Sequence, residues 1–118
     1  MVTLKQGDII FIDAEPHTGH EEGGHKPQDG NIRRPLVVIS NDAYNAQTKM
    51  IVGMPVTSKL LTDRRIFLPI ADPASGVKGS IITYMIPNYD YIARHAEVVG
   101  KVTSSVLADL LQRAHSIF

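Results

Sequence analysis

A chain of 118 residues is long enough to bury one core of ordinary size. No apolar run approaches the roughly 20 residues of a membrane-spanning helix, and the absence of cysteine excludes disulfides and thiolate chemistry. Twelve basic and twelve acidic side chains cancel, which excludes nucleic-acid binding by bulk charge and leaves only a local patch for that purpose.

The first segment, "MVTLKQGDII", lacks the basic region and apolar stretch of a secretory signal, so the expected location is the cytoplasm and the expected organisation is a single domain over 1–118. "DIIFIDA", Asp8 to Ala14, reads as a buried strand because its apolar residues are nearly continuous. "PLVVIS", Pro35 to Ser40, reads as a second strand, opened by a proline where a ladder donor is dispensable. "MIVGMPVTS", Met50 to Ser58, is the third, with Gly53 and Pro55 suggesting a bend or bulge. "RIFLPIA" (Arg65 to Ala71), "GSIITYMI" (Gly79 to Ile86) and "AEVVGKV" (Ala96 to Val102) follow. Between them "SNDAYNAQT", "ADPASGVKG" and "PNYDY" read as turns or short helical connections.

At Thr103 the period changes. Val106, Leu107, Leu110, Leu111 and Ala114 recur on one helical face, Thr103 or Ser104 can cap the start, and Arg113 and His115 suit the negative end of the helix dipole. Together these elements predict a mainly β, barrel-like α+β domain with a C-terminal helix.

One segment breaks the pattern. Between Ala14 and Pro35 lie 20 residues with almost no apolar content, and loops of that length in a compact domain are usually functional or disordered, so a working or a flexible loop is expected rather than a packed one. His17, His20 and His25, with Glu21 or Glu22, are zinc-ligand types, yet His-x2-His-x4-His is not the helical i, i+4 arrangement of zinc hydrolases. The surrounding glycines would also have to be ordered around a metal at an entropic cost, so no metal is expected there. A solvated loop with idle histidines is the plain alternative. A third reading starts at the loop's end. Arg33 and Arg34 adjoin the Pro35 strand, and a guanidinium held there can bind phosphate in bidentate fashion. Thr57 ends a strand that would lie nearby in a small sheet, so a hydroxyl and a guanidinium can converge on a phosphodiester. The bland alternatives are a surface ion pair for Arg34 and a β-former for Thr57.

In order along the chain, "GDIIFIDAEPHTGHEEGG", "RRPLVVISNDAYN" and "VGMPVTS" resemble the MazF/PemK family of endoribonuclease toxins of type II toxin–antitoxin systems. "YDYIARHAEVVGKVTSSVLADLL" is similar to the family's closing strand and helix. The resemblance covers essentially the whole chain. It implies an SH3-like small barrel of the CcdB type, a homodimer, and cleavage of single-stranded RNA at short motifs without a metal or other cofactor. It further implies a catalytic role for Arg34 of "RRP", for Thr57 of "PVTS" and for the loop glutamate, Glu21, of "GHEEGG". A cognate antitoxin would insert an acidic, largely disordered segment across the dimer and cover the groove. Two departures stand out. "HKPQDGNI" intervenes between the glutamate and the Arg-Pro, so an ungapped reading would put Lys26 in place of Arg34, with Arg33 as another substitute. Arg34 is preferred because it adjoins the strand that fixes its geometry. The family's Asp-Gln of the fifth strand is replaced by Tyr84-Met85, which bears on sequence preference.

For such a reaction RNA supplies its own nucleophile, the 2′-hydroxyl. Arg34 would stabilise charge on the phosphate, Thr57 would donate to a nonbridging oxygen, and Glu21 or His20 would act as base. Lys59, Arg64 and Arg65 would track phosphates, and Tyr84, Tyr89 or Tyr91 would stack bases, a core role being expected for at least one of these tyrosines. Arg33, Lys26 and His20 complete the residues expected to meet RNA. The competing reading is a noncatalytic toxin on the same barrel that binds a protein, as gyrase inhibitors do. In that case Arg34 and Thr57 would be dispensable.

Overall fold

The computed structural model describes residues 3–14 and 32–118. Its elements are β1 (Asp8–Ala14), β2 (Ile32–Val38), α1 (Asp42–Thr48), β3 (Met50–Thr57), β4 (Phe67–Ala71), β5 (Lys78–Ile82), β6 (Asn88–Asp90), β7 (Glu97–Lys101) and α2 (Ser104–His115). The strands form one curled sheet in the order β4-β5-β3-β2-β1-β7, with β6 pairing β3, and every pairing is antiparallel. With α2 packed into its concave side, the sheet makes a half-barrel.

The apolar runs lack strict alternation because the sheet is buried on both faces. In β1, Ile9 belongs to one core with Val37, Met54, Val56, Ile81, Leu110 and Ala114. Its neighbour Ile10, and Ile12, belong to a second core with Leu4, Leu36, Val38, Ile51 and Tyr91. Successive side chains of a strand point to opposite faces, so a continuous apolar run is what two cores require. Completely burying one such aliphatic side chain contributes about 1.5–3 kcal/mol.

Element boundaries differ from the sequence-based expectations in several places, the larger differences for local reasons. β2 opens at Ile32 rather than Pro35, because the β1–β2 ladder continues to Ala14 opposite Ile32 and Arg33 pairs with Asp13 across it. Arg33 and Arg34 therefore stand inside a strand. β5 ends at Ile82, where the Met85 N–H closes a turn on the Ile82 carbonyl (3.4 Å), while the Thr83 backbone and hydroxyl both donate to the Ile66 carbonyl (3.0 and 2.8 Å). "PNYDY" contributes β6, whose three residues are too few to show a period but pair with Met50–Val52 of β3. "SNDAYNAQT", read as a turn or short helical connection, is the short helix α1, with Asn41 as N-cap and Lys49 closing it in the left-handed region at φ 59°.

Gly53 and Pro55 sit where β3 changes partners, from β6 (Met50–Val52) to β5 (Val56–Thr57), while Gly53–Pro55 pairs with β2. Leu36 packs directly over Gly53, leaving no room for a Cβ. The register shift lies elsewhere, in β1 against β7 between Ile9 and Ile10.

The helix α2 begins as its capping residue predicts: the Thr103 hydroxyl accepts from the Val106 N–H at 3.3 Å. Its Leu110 and Ala114 enter the core, and Arg113 and His115 occupy the last turn. Among the described residues no helix is long and apolar enough to cross a membrane.

Candidate active site

The β1–β2 and β2–β3 ladders decide where Arg34 goes. Leu36 is opposite Pro55, Val37 opposite Met54 and Val38 opposite Gly53. Carried on by two residues, that register sets Arg34 level with Thr57. Both residues then share one face of adjacent strands, so two groups separated by a long stretch of chain meet at one sheet end.

There they line an open groove of about 390 Å³, together with Phe11, Arg33, Pro35, Val56, Ser58, Gly76, Val77 and Lys78. Its lining is apolar at Phe11, Val56 and Val77, hydroxylated at Thr57 and Ser58, and cationic at Arg33, Arg34 and Lys78. Among the described lining residues there is no carboxylate. Asp13 and Glu97 offset the charge of Arg33, so Arg34 and Lys78 are the lining cations that leave a local positive patch on a neutral protein.

The two adjacent arginines are not equivalent. Arg33 is tied down: Nη1 donates to Asp13 Oδ1 at 2.8 Å and to the His95 carbonyl at 2.9 Å, and Nη2 approaches Glu97 at 3.4 Å. Asp13 is also met by His95 Nδ1 at 2.7 Å, with His95 in the left-handed region at φ 55°. This bracket joins β1, β2 and the approach to β7. Arg34, one residue on and therefore on the opposite face, has no hydrogen-bond or ion-pair partner among the described residues and is exposed. Its guanidinium has five donors to offer a planar anion.

Thr57 is half-buried at the end of β3, where its hydroxyl accepts from the Lys59 N–H at 3.3 Å and retains its own proton to donate. The neighbouring strand presses against it through Gly79, whose φ of +137° lies in glycine territory. A Cβ on Gly79 would overlap the Thr57 carbonyl oxygen and stand 2.9 Å from the Ser58 backbone. This close approach brings the start of β5, and Lys78 with it, to the groove.

The other residues expected from sequence lie as follows. Glu21, His20 and Lys26, with His17 and His25, fall outside the described residues. Lys59, Arg64, Arg65 and Tyr84 are exposed but are not on the groove's lining. Arg65 is held by Asp63 through two bonds of 3.0 Å, and that hydrogen bond holds the Asp63 carboxyl below its ordinary range while raising the guanidinium. Tyr84 stands in the turn after β5 with its ring edge against Phe67, at 6.0 Å between centroids. Tyr91 is a core residue, 3% exposed, whose hydroxyl donates to the Asn45 carbonyl. Tyr89 lies under the Arg94 guanidinium. Sequence reasoning missed Phe11 and Lys78. Phe11 was masked by its place in an apolar strand, and Lys78 by its place in a segment read as a turn. Among the described residues no cluster of His, Cys, Asp or Glu is suited to hold a metal ion.

A family model for the PemK-like, MazF-like toxin of type II toxin–antitoxin systems matches residues 5–118. The endoribonuclease toxin MazF of Escherichia coli K12 is 38% identical over 53 residues, a stretch that makes up 45% of this chain and 40% of that protein. The endoribonuclease PemK of Escherichia coli is 23% identical over 116 residues, covering 97% of this chain and 81% of PemK. Among solved structures, a MazE–MazF complex from Deinococcus radiodurans superposes with a TM-score of 0.79 at 26% identity, over 99% of this chain and 96% of its counterpart.

Proposed function

The chain belongs to the PemK-like, MazF-like toxin family of type II toxin–antitoxin systems, and from that premise we propose that it is an endoribonuclease that cleaves single-stranded RNA at short sequence motifs without a metal ion. The observation that carries the reading is that Arg34 and Thr57 line one groove whose described lining is cationic and free of carboxylates. A scissile phosphodiester is the anion such a pair suits. Relatives named as endoribonucleases support the reaction class.

The chemistry needs few protein groups. The 2′-oxygen attacks the adjacent phosphorus while the P–O5′ bond breaks, giving a 2′,3′-cyclic phosphate and a 5′-hydroxyl. The 2′-hydroxyl proton passes to a base, Glu21 or His20, and a proton is delivered to the departing 5′-oxygen. Arg34, with no competing carboxylate among the described residues, neutralises the charge that builds on the nonbridging oxygens, and the Thr57 hydroxyl donates to one of them. Positioning and electrostatic stabilisation supply the rate, because the nucleophile comes with the substrate. Arg33 serves this arrangement indirectly: its bracket with Asp13 and Glu97 holds the end of β2 from which Arg34 projects.

We further propose that the working form is a homodimer and that a cognate antitoxin covers the groove with an acidic segment. In support, the superposing structure from Deinococcus radiodurans was solved as a MazE–MazF complex. The direct test is to incubate the protein with mixed-sequence RNA in EDTA, beside Arg34→Ala, and to identify the end groups. Cleavage leaving cyclic phosphate that survives chelation and disappears in the variant supports the reading. Cleavage retained in the variant would move the role to Lys26 or Arg33. No cleavage by either protein, with EDTA or with added zinc, would favour the protein-binding alternative.

A further inference from the structure

We propose that Lys78 binds a backbone phosphate next to the scissile one, giving the groove a second phosphate subsite that orients the RNA strand. The inference rests on the ribonuclease reading and deepens it. Three observations carry it.

Lys78 lines the same groove as Arg34 and Thr57, whereas Lys59, Arg64 and Arg65, the cations nearest to Thr57 in sequence, do not. Availability is the second observation. Of the three lining cations, Arg33 is committed to Asp13 and Glu97. The Lys78 side chain is exposed and, like that of Arg34, has no hydrogen-bond or ion-pair partner among the described residues. Without a carboxylate on the described lining, nothing there competes with phosphate for its ammonium.

The third observation is that its backbone is held in place. Lys78 pairs with Ala71 at the end of the β4–β5 ladder, and the preceding turn is closed by the Asp72 N–H on the Val77 carbonyl (2.8 Å) and by the Gly76 N–H on the Asp72 carbonyl (2.8 Å). On its other side Gly79 presses β5 onto the end of β3 at Thr57. The Lys78 stem therefore starts from a fixed point near the end of β3, in the groove that Thr57 also lines and on a different strand from Arg34. Two cations on separate strands flanking one hydroxyl suit two successive phosphates better than one phosphate. The compact, flexible ammonium acts as a point charge on a neighbouring linkage, while the forked guanidinium takes the reacting one.

A single-phosphate neutralisation scan tests this. A cleavable oligoribonucleotide is prepared with one methylphosphonate at a time, placed at each linkage flanking the cut, and each is assayed with the wild-type protein, Lys78→Gln and Lys78→Arg. For the wild type, neutralising one flanking linkage should raise KM about 5-fold at low salt, with kcat changed less than about twofold. Lys78→Gln should raise KM on the unmodified strand by a similar factor and become indifferent to that same methylphosphonate. Lys78→Arg should restore the sensitivity. The dependence of log KM on log salt should flatten by about 0.7 in Lys78→Gln, the value for one single-strand phosphate contact.

Equal and additive losses at every linkage in Lys78→Gln would overturn the subsite. Wild-type activity with Lys78→Gln unaffected refutes the Lys78 assignment while leaving the ribonuclease reading intact. Absence of cleavage by the wild type would instead remove that reading and the subsite with it. An exposed side chain leaves the fold intact on substitution, so a KM change cannot be ascribed to unfolding.

Discussion

Replacing Gly79 by alanine isolates the contact that builds the groove. In this structure Gly79 has φ of +137°, and its missing side chain lets β5 approach the Thr57 carbonyl and the Ser58 backbone. Two penalties follow for alanine. Holding a non-glycine residue in that backbone region costs about 1–3 kcal/mol. Backbone overlap that must be relieved by moving one strand adds about 1–3 kcal/mol, the usual range for overpacking. The total, about 2–6 kcal/mol, is a large part of the 5–15 kcal/mol typical of a whole domain. Gly76 supplies the control. Its φ is also positive, +77°, but a Cβ there meets nothing within 4 Å, so Gly76→Ala should lose only the left-handed penalty of about 1–2 kcal/mol. Urea unfolding of wild type, Gly76→Ala and Gly79→Ala at one protein concentration, followed by circular dichroism, measures both. Equal midpoints for the two variants, or a loss below about 1 kcal/mol for Gly79→Ala, would refute the argument that backbone crowding at Thr57 makes glycine necessary. Gly79→Ala that remains folded should also cut RNA more slowly, since the strand that must move carries Thr57 or Lys78.

The other predictions divide the site from its frame. Arg34→Lys keeps the charge but loses the fork, and should lower kcat by about 100-fold or more while the unfolding free energy from urea titration stays within about 0.5 kcal/mol of wild type. Leu110→Ala empties a fully buried position under the sheet (0% exposed) and should cost about 3 kcal/mol in the same unfolding assay. Asp13→Asn removes the charge from the bracket around Arg33 and His95, so it should destabilise by about 1 kcal/mol, with the difference shrinking as salt is raised. Thr103→Ala removes the cap of α2 and should lower stability by about 1 kcal/mol without changing the KM for RNA.

Much of the frame was legible along the chain because its signals are local. The change of period after Val102, the capping hydroxyl at Thr103 and the basic last turn define α2 within one stretch of sequence. The apolar runs of β1, β2 and β3 mark strands for the same reason. Ordered short motifs pointed to the family, and Arg34 and Thr57 could be singled out by residue type and position beside strands. What could not be read was pairing. Whether Arg33 or Arg34 is free depends on Asp13 lying across the ladder and on Glu97 and His95, which are brought in from the far end of the chain. The juxtaposition of Arg34 with Thr57 depends on the β2–β3 register, and a slip of one residue would send one of them to the opposite face. Lys78 was invisible in a segment that resembles a turn. Only the packing of Gly79 against Thr57 carries it to the groove, because a backbone-to-backbone approach leaves no mark in the sequence beyond a single glycine. Sequence thus determined the elements, through local periodicity and capping. Tertiary structure decided which of the cations line one groove, through register and close approach.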